Sequence, residues 1–144
     1  MIYDINIKRI ESQLRYLQNC IQVLEQTNVD DVHSIQGFAA ARALHIAVES
    51  MIDVGSVLID GFIMRDPGGY LDIVDILEDE QVIDKQLSGK VKEKVTFREK
   101  LIRYYDVIET EELRRFSIDI EPYRQFIHAV KSFLEKERAA GTIR

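Results

Sequence analysis

The chain has 144 residues, 46% of them hydrophobic and 31% charged, with seven glycines, two prolines and one cysteine. This balance excludes a disordered chain and a membrane protein, and the scarcity of turn-forming residues argues against a many-stranded β fold. The formal charge of −6 argues against general nucleic-acid binding but leaves room for a local basic patch. The length fits a single domain over 1–144 that buries roughly two-thirds of its unfolded surface. Cys20 has no partner for an internal disulfide, which places the protein in a reducing cytoplasm by default. Residues 1–6 lack the basic and apolar regions of a signal peptide.

The first helix is expected from Tyr3. Apolar residues recur at Tyr3, Ile7, Ile10, Leu14, Leu17, Ile21 and Leu24, in alternating steps of four and three that mark one stripe of a packed helix. Asp4 is the expected N-cap, and the helix should stop near Thr27 and Asn28. Asp30, Asp31 or Ser34 then caps a second helix over 35–64. This is the most apolar stretch of the chain, yet Glu49, Asp53, Asp60, Arg42 and His45 interrupt it, so it reads as a buried helix and not a membrane span. Its small residues Ala39, Ala40, Ala41, Ala43, Ala47 and Gly55 allow neighbouring helices to approach closely.

The strong break at Arg65-Asp66-Pro67-Gly68-Gly69 precedes a short acidic helix over 70–79, with Leu71, Val74, Ile76 and Leu77 near one side. Asp84 or Ser88 caps a fourth helix reaching about Tyr105. A fifth starts at Thr110, and Asp119-Ile120-Glu121-Pro122 restarts or kinks it. The final stretch stacks Tyr123, Phe126, Ile127, Val130, Phe133 and Leu134 before Gly141 ends it. The expected fold is all-α, an antiparallel bundle of four to five helices.

The histidines His33, His45 and His128 are scattered, and neither a zinc spacing nor a Glu-x-x-His motif occurs, so no metal or cofactor is expected. Cys20 reads as a small packed residue. His45, Glu49 and Asp53 share one helix face, either as an acid–base group or as the polar side of a mostly buried helix. Buried carboxylates need partners, and the arginines of the fourth helix are natural ones. From 84 to 103 that helix carries seven bases against three acids, +4 within a chain of −6. It is either a solvated face opposite the acidic third helix or a phosphate-binding strip.

The segment 96–105, with Phe97, Arg98, Leu101, Ile102 and Tyr105, resembles the signature of the HepT-like family of HEPN proteins: Arg, four residues, His, one residue, Tyr. Residues 42–53 resemble that family's second helix, and 66–73 its Pro-x-x-Tyr turn. The resemblance implies an HEPN-like helical homodimer whose motif helices line a shared cleft. It also implies a metal-independent endoribonuclease, the toxin of a toxin–antitoxin pair. The implied partner is an MntA-like nucleotidyltransferase that adds AMP to the motif tyrosine. On this basis Arg98 is the motif arginine and Tyr105 the tyrosine that accepts AMP. Arg103 occupies the histidine position, and Glu99 that of the motif asparagine.

Arginine stays charged and cannot act as a base, although it can hold a phosphate. Arg98 and Arg103 are therefore the candidate site pair, in a cleft expected to bind RNA with weakened or lost cleavage. Two alternatives stand beside this. One is a silent module that only dimerises and binds a nucleotidyltransferase or another protein. The other is an enzyme using His45 or Glu49 as base. Arg103 can also pair with Glu99 one turn back, a purely structural arrangement.

Overall fold

A computed structural model describes all 144 residues. Six α-helices form: α1 (Ile7–Gln26), α2 (Ile35–Gly61), α3 (Tyr70–Asp79), α4 (Lys85–Arg103), α5 (Thr110–Ile118) and α6 (Glu121–Ala139). A single 3-10 turn, Tyr105–Val107, separates α4 from α5. There is no strand, in keeping with the all-α expectation, and the break at Asp119 and Ile120 makes α5 and α6 separate helices.

The expected caps hold at Ser34, whose hydroxyl accepts from the Gly37 N–H at 2.9 Å, and at Asp84, whose carboxylate accepts from the Leu87 N–H at 2.8 Å. Each satisfies an amide that the first helical turn leaves unpaired. The first helix departs from expectation. It starts at Ile7, capped by Asn6 instead of Asp4, because the Tyr3 N–H donates to the Thr142 carbonyl at 2.7 Å and holds the leading residues against the C-terminal end. Tyr3 continues inward through Phe62 to Phe133, with ring centroids 5.4 Å apart at each step. Three residues earlier than expected, α2 gives way to the turn at Phe62. After α6, Gly141 takes a left-handed φ of +79°, which favours glycine at a helix end.

Thirty-five buried apolar side chains form one continuous core. α1 lies along α2 as the most extensive helix pair, and α3 sits across α2 and α4. Ala40, Ala43 and Ala47 are buried on α2, where the expected small-residue surface meets its neighbours. On α3 the sequence reading needs a correction. Leu71 is 47% exposed, and Ile73 takes the inward position beside Val74, Ile76 and Leu77. Gly55 makes the space: a Cβ there would stand only 2.7 Å from Ile73 Cγ2.

α4 runs antiparallel to α2. Arg98 meets Glu49 in the middle of α2, while the Val32 N–H, before α2, donates to Thr110 Oγ1, beyond α4, at 3.1 Å. This direction brings the basic C-terminal half of α4 alongside the His45–Glu49 stretch of α2.

Candidate functional site

The site assembles around Glu49. One carboxylate oxygen, Oε1, accepts from Arg98 Nε, and the other, Oε2, accepts from the Tyr70 hydroxyl at 2.8 Å. The Arg98 guanidinium also lies over the Tyr70 ring, 4.2 Å from its centroid, a favourable cation–π geometry. His45, one turn before Glu49, places Nε2 at 3.6 Å from Glu49 Oε1. On the other side, Arg98 Nη1 lies 3.7 Å from Glu99, which in turn pairs with Arg103. Five charged or titratable groups thus run in a chain: His45, Glu49, Arg98, Glu99, Arg103.

Tyr70 is delivered by the turn before α3. Asp72 accepts two hydrogen bonds from Arg65, both at 2.9 Å, and one from the Gly68 N–H at 2.8 Å. The Arg65 fork, with the Gly68 amide, holds the Asp72 carboxyl below its ordinary pKa. This clamp closes the Pro67-Gly68-Gly69 turn and sets the first residue of α3 over Arg98.

The local field acts differently on each group. Burial lowers the His45 pKa, and Arg98 and Arg42 lower it further against the pull of Glu49. Burial and the bond to Glu49 raise Tyr70. Asp53 is also raised, by burial and then by Glu49, with Arg9 of α1 opposing. It lies one turn beyond Glu49 with no hydrogen bond to Arg98 or Tyr70, so it stands at the edge of the cluster. Burial pushes the Cys20 thiol up to about 11 despite Arg42 nearby; it is a packed residue, as expected.

Most of the basic strip on α4 is spent on ion pairs. Lys90 pairs with Glu93, Lys92 with Asp75, Lys94 with Asp119, Arg98 with Glu49, Lys100 with Glu112 and Arg103 with Glu99; Lys85 alone has no such partner. The pairing of Arg98 with a buried-face carboxylate and of Arg103 with Glu99 was legible in the spacing. Two contributors were not. Tyr70 stands in the Pro-x-x-Tyr turn with no role evident from sequence, although an aromatic directly after Gly-Gly is its signal. The bridging of two arginines by Glu99 depends on side-chain rotamers that no spacing reports.

Tyr105 corrects a second expectation. α4 stops at Arg103, Tyr104 leaves the helix with ψ of 38°, and Tyr105 sits in the 3-10 turn instead of on the α4 face. It is 73% exposed, while Arg103 on the last turn of α4 has a side chain 68% exposed. No group of three or more His, Cys, Asp or Glu side chains is placed to hold a metal ion, and no helix is long and apolar enough to cross a membrane.

The class is an all-helical bundle that sets Arg98 of α4 against Glu49 of α2. The chain belongs to the HepT-like ribonuclease family, whose model matches residues 10–130. It is 31% identical over 137 residues to the proposed RNase YutE of Bacillus subtilis (strain 168), covering 94% of each chain. The solved structure of YutE, described as a cytosolic protein, superimposes with a TM-score of 0.87 at 32% identity, covering 94% of this chain and 95% of that one. A toxin–antitoxin structure with AMP-PNP matches at TM-score 0.80 and 18% identity, over 87% of this chain and 98% of that one. A tri-AMPylated Shewanella oneidensis HEPN toxin in complex with its MNT antitoxin matches at 0.77 and 18%, over 86% and 97%. At such identity these last two share the fold.

Proposed function

We propose that this protein is the toxin-family half of a toxin–antitoxin pair, binding RNA phosphates in a cleft between two copies and cleaving RNA weakly. The observation that carries the reading is the Arg98 cluster, in which Arg98 and Arg103 lie on either side of the one Glu99 carboxylate. The missing motif histidine sets the weakness, because Arg103 can stabilise charge but cannot move a proton near neutral pH. The proposed second copy would cover apolar residues left in solvent on α2 and α4. Ile35 and Phe38 are exposed on the α2 stripe that continues to Arg42, His45 and Glu49, and Ile102 is exposed one turn after Arg98.

RNA binding should weaken steeply with added salt, since phosphate contacts release counterions. Arg98→Ala should reduce affinity by about tenfold or more, the expected cost of a charge-assisted contact. Gel-shift titrations at two ionic strengths check both, and equally negligible binding by the two proteins would sink the reading.

The proposed partner is an MntA-like nucleotidyltransferase. The Tyr105 Oη would attack the α-phosphorus of ATP, forming an Oη–P bond, expelling pyrophosphate and losing its proton to solvent. The exposed 3-10 turn leaves that hydroxyl open to an incoming enzyme. Co-expression with a nucleotidyltransferase encoded next to this protein should add one or more AMP masses to the Tyr105 peptide. An unmodified tyrosine counts against the pairing.

One observation favours a second reading, a silent interaction module. Arg98 and Arg103 both already have carboxylate partners, so the cluster is close to neutral before any ligand arrives. Under that reading RNA affinity stays negligible while self-association persists.

A further inference from the structure

The geometry points to His45 as the general base for RNA cleavage at the Arg98 cluster, in place of the histidine that the motif lacks at position 103. This assignment rests on the reading that the cluster binds RNA.

Cleavage of RNA without a metal needs a group that takes the proton of the 2′-hydroxyl. The 2′-oxygen then bonds to phosphorus, the bond from phosphorus to the 5′-oxygen breaks, and that oxygen leaves with the electron pair and takes a proton from water. The products are a 2′,3′-cyclic phosphate and a free 5′-hydroxyl, and the base returns its proton to solvent. The base must be unprotonated, open to substrate and close to a phosphate-binding cation.

Of the groups in the cluster, only His45 meets all three conditions. Both oxygens of Glu49 are occupied, one by Arg98 and the other by Tyr70. Asp53 faces Arg9 of α1 and is not influenced by Arg98, and arginines do not deprotonate. His33 lies in the connection before α2, and His128 lies on α6 beside Ser132. His45 has a side chain 31% exposed and sits against the same carboxylate oxygen that holds Arg98. With Nε2 turned to Glu49, Nδ1 is the nitrogen left to accept a proton, the tautomer logic by which carboxylates orient catalytic imidazoles. The charged groups acting on it are Arg42 and Glu49 from α2 and Arg98 from α4. Burial, with Arg98 and Arg42, shifts the ring toward its neutral form against the pull of Glu49.

The test uses the full chain with a mixed-sequence single-stranded RNA oligonucleotide and with total cellular RNA, in chelator. Cyclic-phosphate ends should accumulate. His45→Gln, which preserves shape and a polar contact to Glu49, should lower the rate about a hundredfold or more and leave Arg98-dependent RNA affinity unchanged. His45→Ala should regain activity with added imidazole. The wild-type rate should fall as the pH drops through a value below that of an ordinary imidazole. Cleavage by His45→Gln at the wild-type rate, or no rescue by imidazole, overturns the assignment. Arg98-dependent binding without cleavage by the wild type also overturns it and leaves the RNA-binding reading intact. Absence of RNA binding overturns that reading itself.

Discussion

Arg103→His is expected to raise RNA cleavage by about a hundred- to ten-thousand-fold, the range that one positioned proton-transfer group supplies. The introduced imidazole would stand on the last turn of α4, one turn after Glu99. A neighbouring carboxylate favours the protonated ring, so the new group is suited to give a proton to the leaving 5′-oxygen. That complements a base on α2 instead of duplicating it. Cell toxicity should rise in parallel. The double variant Glu99→Asn/Arg103→His restores the motif residues at both positions and removes one negative charge beside Arg98, so its RNA affinity should exceed that of the single variant. Initial rates in chelator, with growth on induction, measure both effects. No gain in either variant would mean that the cleft has lost more than a histidine.

Lys94→Ala is expected to cost about 2–4 kcal/mol of stability, from the buried stem and from the partner left without its cation. The Lys94 side chain is 1% exposed. Its ammonium donates to the Asp119 carbonyl at 2.8 Å and to its carboxylate at 3.2 Å, and it lies 4.7 Å from the Tyr123 ring centroid. Burial lowers the Lys94 pKa, although Asp119 opposes this. The residue ties α4 to the junction where α5 ends and α6 begins. The midpoint of thermal unfolding should fall by roughly 5–15 °C at this chain length. Lys94→Met keeps the stem and should lose less. Equal loss in both variants would show that the charge, and not the packing, carries the contribution.

Helix content was readable because its signals are local. The four-and-three spacing from Ile7 to Leu24, the Ser34 and Asp84 caps and the Pro67-Gly68-Gly69 break each act within a few residues, and the structure follows them. The misreadings arise where a distant partner outweighs the local signal. Tyr3 is drawn out of helix by Thr142, and Leu71 yields the inward position to Ile73 because Gly55 on another helix leaves a gap. α4 ends at Arg103, two residues before the expected Tyr105: nothing in Arg103-Tyr104-Tyr105 resembles a helix stop, yet the chain turns there to reach Thr110 and the contact with Val32.

The candidate site divides in the same way. Composition, helix periodicity and the Arg98–Tyr105 segment determined the fold class and the family and singled out the candidate site residues. All of these depend on residue type and on spacing along one helix. Only the packing of α2, α3 and α4 decided which residues meet. It set Tyr70 over Arg98, filled both oxygens of Glu49, left His45 beside them with a free ring nitrogen, and buried one lysine of a strip that reads as solvated. Such contacts follow from the rotation and antiparallel direction of whole helices. Those are set by burying the apolar stripes of all six together, a global condition that no short stretch of residues records.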